Sequence, residues 1–266
     1  IDKILKIFEP VFPKKLKQKS LEKAKDFILK RLNGINGLGA IFPAMTNCTM
    51  ALHILNLKKE YNISKKSVKN LITNKKNYSY CQPCFSPIWD TGLNGLSLLE
   101  NGLTLNDEVI KKACNWLEKK QISNVNGDWS VNNKDLAPGG WAFQYENDFY
   151  PDVDDTAVVA MFLDRANYQN KEVVRKACDW IIGMQSKNGG WGSFDKDNTY
   201  HYLNNIPFAD HGALLDPPTA DVSARCVSML SQINKEKYRN IIENGVEFLR
   251  KEQEDNGSWF GRWGAN

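Results

Sequence analysis

The 266-residue sequence has no uninterrupted apolar run of 18 residues, so nothing in it reads as a membrane-spanning helix. Its three histidines, His53, His201 and His211, are scattered, and Cys81 and Cys84 form the one CxxC pair among six cysteines. A zinc site wants a second such pair or two spaced histidines, so no metal is expected. The carboxylate clusters Asp152/Asp154/Asp155 and Asp195/Asp197/Asn198 lack the Gly and Glu that an EF-hand loop carries at its sixth and twelfth positions. No nucleic-acid-binding motif is present, and nucleic acid is not an expected partner. The start Ile1-Asp2-Lys3 is not a secretory signal and there is no initiator Met, which together suggest a cytoplasmic setting and a piece of a longer protein.

What is present reads as a folded chain with a real core: 42% hydrophobic and 25% charged residues. The net charge of +4 hides an asymmetry, because residues 1–80 hold 17 Lys/Arg against 5 Asp/Glu, leaving 18 against 26 for the rest. A Lys-rich third of this kind suits solvated helix faces, or attraction to anionic lipid head groups. Cys114 and Cys178 fall inside helical patterns and read as small apolar residues.

Internal repetition organises the sequence. KKACNWLEKKQ at 111–121 recurs 64 positions later as RKACDWIIGMQ at 175–185, and again as ENGVEFLRKEQ at 243–253. Each copy ends in an aromatic followed five residues later by Gln: Trp116/Gln121, Trp180/Gln185 and Phe248/Gln253. A Gly-x-Trp turn follows each, at Gly127–Trp129, Gly189–Trp191 and Gly257–Trp259, and these Gln and Trp residues read as structural. EKAKDFILKRL at 22–32 is a degenerate fourth copy. More apolar helices are expected after Pro43, Pro87, Pro151 and Pro218, since Pro suits a helix start. Alternating amphipathic and apolar helices predict an all-α fold, an α/α toroid with apolar helices inside and amphipathic ones outside. The long aromatic connections 130–151 and 192–216 lead into the inner helices and are read as functional loops.

One of those inner helices opens with Asp152-Val153-Asp154-Asp155-Thr156-Ala157. Three carboxylates within four residues raise one another's pKa, so at least one proton is shared at neutral pH. The pattern fits an acid site; it also fits acids that simply cap a helix start.

Several segments together resemble the squalene–hopene cyclases: GGWAFQYENDFYP before DVDDTA, the Gln/Gly-x-Trp repeats, CQPCFSPIWDTG at 81–92, and WGSFDKDN followed by DPPTADVSAR. The likeness runs over essentially the whole chain. It implies a class II terpene cyclase, in which a carboxylic acid protonates a terminal alkene of squalene and starts a polycyclisation to hopene or hopanol. No cofactor is implied, and the metal-binding DDxxD of class I terpene synthases is absent. By position in the motif Asp154 is the proton donor, Asp152 and Asp155 polarise it, and Asp221 and Arg225 stand where the family has an Asp and a His or Arg that holds the acid. Aromatic faces stabilise cations without quenching them, and the family's aromatic positions fall on Trp89, Phe143, Phe194 and Trp263. The substrate entrance maps to Phe208 and Ala209. The resemblance further implies a lipid substrate drawn from the membrane, peripheral (monotopic) attachment on the cytoplasmic side, and a homodimer as the assembly to consider.

Family members are about twice this length, so residues 1–266 read as part of the catalytic α/α-barrel domain, an incomplete barrel where six inner and six outer helices are expected. The family's second α-barrel domain and its C-terminal repeats are absent from this stretch. Such a piece on its own is expected to be inactive, because the cascade needs an enclosed, water-free cavity. Two other readings stay open: a class II cyclase of another polyprene (a sesquarterpene, oxidosqualene or a diterpene), and an α/α-repeat scaffold without chemistry.

Overall fold

The structure is a computed structural model that describes residues 6–205 and 214–261. The sequence-predicted site positions Phe208, Ala209 and Trp263 lie outside the described residues. Two compact units emerge, one of residues 1–85 with 200–215, the other of residues 86–199 with 216–266.

The first unit carries α1 (Lys14–Lys30), α2 (Phe42–Ile54), α3 (Lys58–Asn70) and a hairpin of β1 (Ile72–Asn74) and β2 (Ser79–Cys81). Pro43 sits in the first turn of α2, whose Met45, Cys48 and Leu52 are buried. Its packing partner is α3, held by a Thr49–Ser64 hydroxyl pair at 2.6 Å. Helix α3 carries no repeat signature: no aromatic in its Lys-rich stretch is followed five residues later by Gln. Helix α1, which covers most of the degenerate repeat copy, buries none of its residues.

The second unit carries α4 (Pro87–Glu100), α5 (Glu108–Lys120), α6 (Val153–Arg165), α7 (Lys171–Met184), α8 (Ala220–Asn234) and α9 (Arg239–Lys251). Helix α6 packs between α4 and α8, and α5, α7 and α9 pack on α4, α6 and α8 respectively. The expected inner and outer layers are therefore present here. All eleven residues from Val153 to Leu163 are buried, the polar Asp154, Asp155 and Thr156 among them, and from Ala157 to Leu163 the helix is apolar on every side. Close approach of α4 to α6 requires glycine: a Cβ on Gly95 would stand 2.5 Å from the Phe162 ring, and one on Gly92 2.9 Å from Val158. At the opposite end from the acids, Arg165 pairs with Glu100 and bonds Gln232 at 2.6 Å, while Gln232 reaches Asp164 at 2.8 Å. Three inner helices are thus tied together at their C-termini.

The repeats are built by one hydrogen-bond scheme. Gln121 Nε2 donates to the carbonyls of Gly139 and Val173, both at 2.8 Å; Gln185 donates to Gly189 at 2.8 Å and Ile241 at 3.0 Å; Gln253 donates to Gly257 at 2.9 Å. Each Gln so joins the end of one outer helix to a turn, and the first two also reach the start of the next outer helix. An indole N–H closes each turn at 2.7 Å: Trp141 to Leu117, Trp191 to Ile181, Trp259 to Leu249. The first repeat's tryptophan is therefore Trp141 and not Trp129, which corrects the expected Gly127–Trp129 turn. A 3-10 turn at Asp128–Val131 lies in the longer connection, and Trp129 is buried edge-on to Trp180, with ring centroids 5.9 Å apart.

Candidate active site

The start of α6 is fixed from three directions. Asp152 is its N-cap, its Oδ1 accepting from the Asp154 N–H at 2.7 Å and the Asp155 N–H at 3.4 Å. The Asp152 N–H donates to the Trp141 carbonyl at 2.7 Å, and the Val153 N–H to the Ser193 carbonyl at 2.8 Å. The Thr156 hydroxyl accepts from the Trp141 N–H at 3.0 Å. Both aromatic loops are thereby sewn to the helix that carries the acids. The same stitches recur on α8, where Thr219 N–H meets the Trp191 carbonyl at 3.0 Å and the Ser223 hydroxyl accepts from Trp191 N–H at 2.9 Å. Thr156 thus matches Ser223, and Asp154 matches Asp221.

Arg225 lies one turn beyond Asp221 and reaches across to α6. Its Nε and Nη2 engage the two oxygens of Asp154, the second at 2.8 Å, in a bidentate pair. The guanidinium also stands over the Trp89 ring of α4, 5.4 Å from its centroid. Asp221 accepts from the Thr219 hydroxyl at 2.7 Å and faces Asp154 closely enough to oppose its ionisation. Of the expected site residues, Asp152, Asp154, Asp155, Asp221, Arg225 and Trp89 come together. Phe143 and Phe194 are half-buried and lie two residues and one residue beyond the Trp141 and Ser193 carbonyls that anchor α6.

Electrostatics hold protons in this cluster. Burial, and then the charge of Asp154, push Asp152 up to about 8. Burial also drives Asp155 well above the usual carboxylate range, with Asp152 and Asp154 adding to it, and its Oδ1 is buried without a hydrogen-bond partner. Asp154 is raised by burial while Arg225 pulls the other way, so it is the most readily ionised of the three acids. A buried acid that gains a proton on folding contributes stability that is present below its unfolded value, about 4, and is lost as pH rises through about 8. Asp152→Asn keeps the N-cap acceptor and removes that titration. We therefore expect the variant to gain on the wild type in circular-dichroism melts between about pH 4 and about pH 8; a constant difference would contradict the assignment.

Paired inner and outer helices around a clamped carboxylate cluster define an all-α protein of the α/α toroid class with a built acid site. The chain belongs to the squalene-hopene cyclase family: residues 85–266 match the Squalene-hopene cyclase C-terminal domain and residues 1–75 the Squalene-hopene cyclase N-terminal domain. It is 50% identical over 277 residues to a squalene-hopene cyclase of Schizosaccharomyces japonicus and 49% over 281 residues to that of Zymomonas mobilis subsp. mobilis. Both alignments cover all of this chain but 42% and 43% of those relatives. A dammaradiene synthase of Dryopteris crassirhizoma is 35% identical, over the whole chain and 41% of that protein.

Proposed function

We propose that this chain carries the proton-donating part of a class II triterpene cyclase that converts squalene to hopene or hopanol. One observation carries the reading: Asp154 is nearly buried, flanked by two proton-retaining carboxylates and clamped bidentately by Arg225. A proton delivered to an alkene needs an acid stronger than its surroundings would leave it, with an anion that is stabilised once the proton has gone. Arg225 meets both needs, since a positive partner favours the conjugate base. Asp152 and Asp155 keep the neighbourhood neutral, so that Asp154 is not forced to carry a third charge. Trp89, beside Arg225, together with Phe143 and Phe194, offers faces to a developing cation. In this reading the domain draws its lipid from the cytoplasmic side of a membrane, and the roles that the resemblance implies for Trp263, Phe208 and Ala209 stay with the resemblance, since those residues lie outside the described ones. The names of the relatives support squalene and hopene, whereas the dammaradiene synthase keeps a second triterpene product open.

Squalene supplied in detergent to the full-length gene product is expected to yield hopene or hopanol, identified by gas chromatography–mass spectrometry. A different cyclised triterpene would shift the assignment to the product named by that relative. No cyclised product from squalene or another polyprene would sink the enzyme reading and favour the scaffold.

A further inference from the structure

A carboxylate outside the acid motif is built into the same site. Asp216 precedes α8 and is buried. Its Oδ1 accepts from the Ser193 N–H at 3.2 Å, and its Oδ2 from the Phe194 N–H at 2.6 Å and the Asp195 N–H at 2.8 Å. Three successive N–H groups converging on one anion form a backbone nest, here filled by the chain's own side chain. The approach depends on glycine: a Cβ on Gly192 would lie 2.5 Å from the Asp216 carbonyl and 2.8 Å from its Oδ2. The segment gathered by this nest carries Phe194, and its Ser193 carbonyl holds the Val153 N–H at 2.8 Å, one residue before Asp154.

We propose that Asp216 is a positioning residue of the reaction: by anchoring Ser193–Asp195 it sets both the Phe194 backbone and the start of the helix that presents Asp154. A charge-assisted bond to backbone N–H groups is stronger than a neutral one. The role rests on the cyclase reading above. Asp216 acts through Phe194 and α6, so its loss should change where the cascade stops and how fast it starts more than how tightly substrate binds.

Two measurements test this, and they fail separately. In the 266-residue chain, hydrogen exchange followed by mass spectrometry should show Asp216→Asn speeding exchange of the Ser193–Asp195 and Val153 amides by about tenfold or more, the scale of one charge-assisted bond, with α9 unchanged. Unchanged exchange overturns the anchor, whether or not squalene is turned over. In the full-length gene product, Asp216→Ala should lower kcat for squalene about tenfold to a hundredfold, leave KM within about twofold, and raise the share of partly cyclised products; Asp216→Asn, which keeps one acceptor, should recover part of the loss. A loosened segment with unchanged kcat and product pattern would reduce Asp216 to a loop brace and overturn the proposal. If Asp216→Ala does not fold, Asp216→Asn carries both measurements. Should the wild type cyclise nothing, the function fails, and with it the positioning role, while the exchange result still decides the nest.

Discussion

Replacing Asp154 with Asn in the full-length gene product is expected to cut squalene turnover about 10²- to 10⁴-fold, the contribution of a positioned general acid. The amide is nearly isosteric and still accepts from Arg225, but it has no proton to give. Arg225 is partly exposed, with side-chain accessibility of 36%, so water can satisfy a guanidinium that has lost its anion. The variant should therefore fold, with a circular-dichroism melt close to wild type, and this separates lost chemistry from lost structure. Wild-type turnover should itself decline as pH rises, and the loss should come before pH reaches about 8, because Asp154, the more readily ionised acid, gives up its proton before Asp152 does. Turnover by Asp154→Asn within about tenfold of wild type would place the donor elsewhere.

Much of this site was legible because its residues are local. Asp152, Asp154 and Asp155 fall within four positions, and Pro151 with the apolar run behind them announces a buried helix. Asp221 and Arg225 are spaced by one helical turn, so one face of α8 presents both. Asp216 was not legible, because its partners are main-chain N–H groups more than 20 residues earlier, and backbone donors leave no mark in side-chain identity. Helix α3 escaped for the opposite reason: its buried contacts are made by Ser64 and Ser67, which no hydrophobic periodicity reveals. The first repeat misled by an insertion. Gly127-Asp128-Trp129 has the composition of a capping turn, yet Gly139-Gly140-Trp141 repeats Gly189-Gly190-Trp191 letter for letter, a signal that was available in the sequence.

That reassignment carries the second large effect. Trp141→Ala is expected to cost about 3–5 kcal/mol of stability, as befits a large side chain removed from a packed core, since Trp141 is fully buried. Trp141→Phe keeps most of the ring but leaves the Leu117 carbonyl without its 2.7 Å donor, at about 1–3 kcal/mol. Trp129→Phe gives up an indole N–H that has no partner, so its cost should be the smaller of the two. Urea unfolding of the 266-residue chain would rank the three, and a Trp129→Phe cost equal to or above that of Trp141→Phe would restore the turn at Gly127–Trp129. The consequence reaches the acid. Trp141 meets Asp152 and Thr156 through its main chain, so a weakened turn should also loosen the N-terminus of α6, with faster exchange of the Asp152 amide than of amides at the Arg165 end. Stability of an outer-layer turn and placement of Asp154 are then one property, because the tryptophan that closes the repeat also holds the N-cap of the helix that carries this acid.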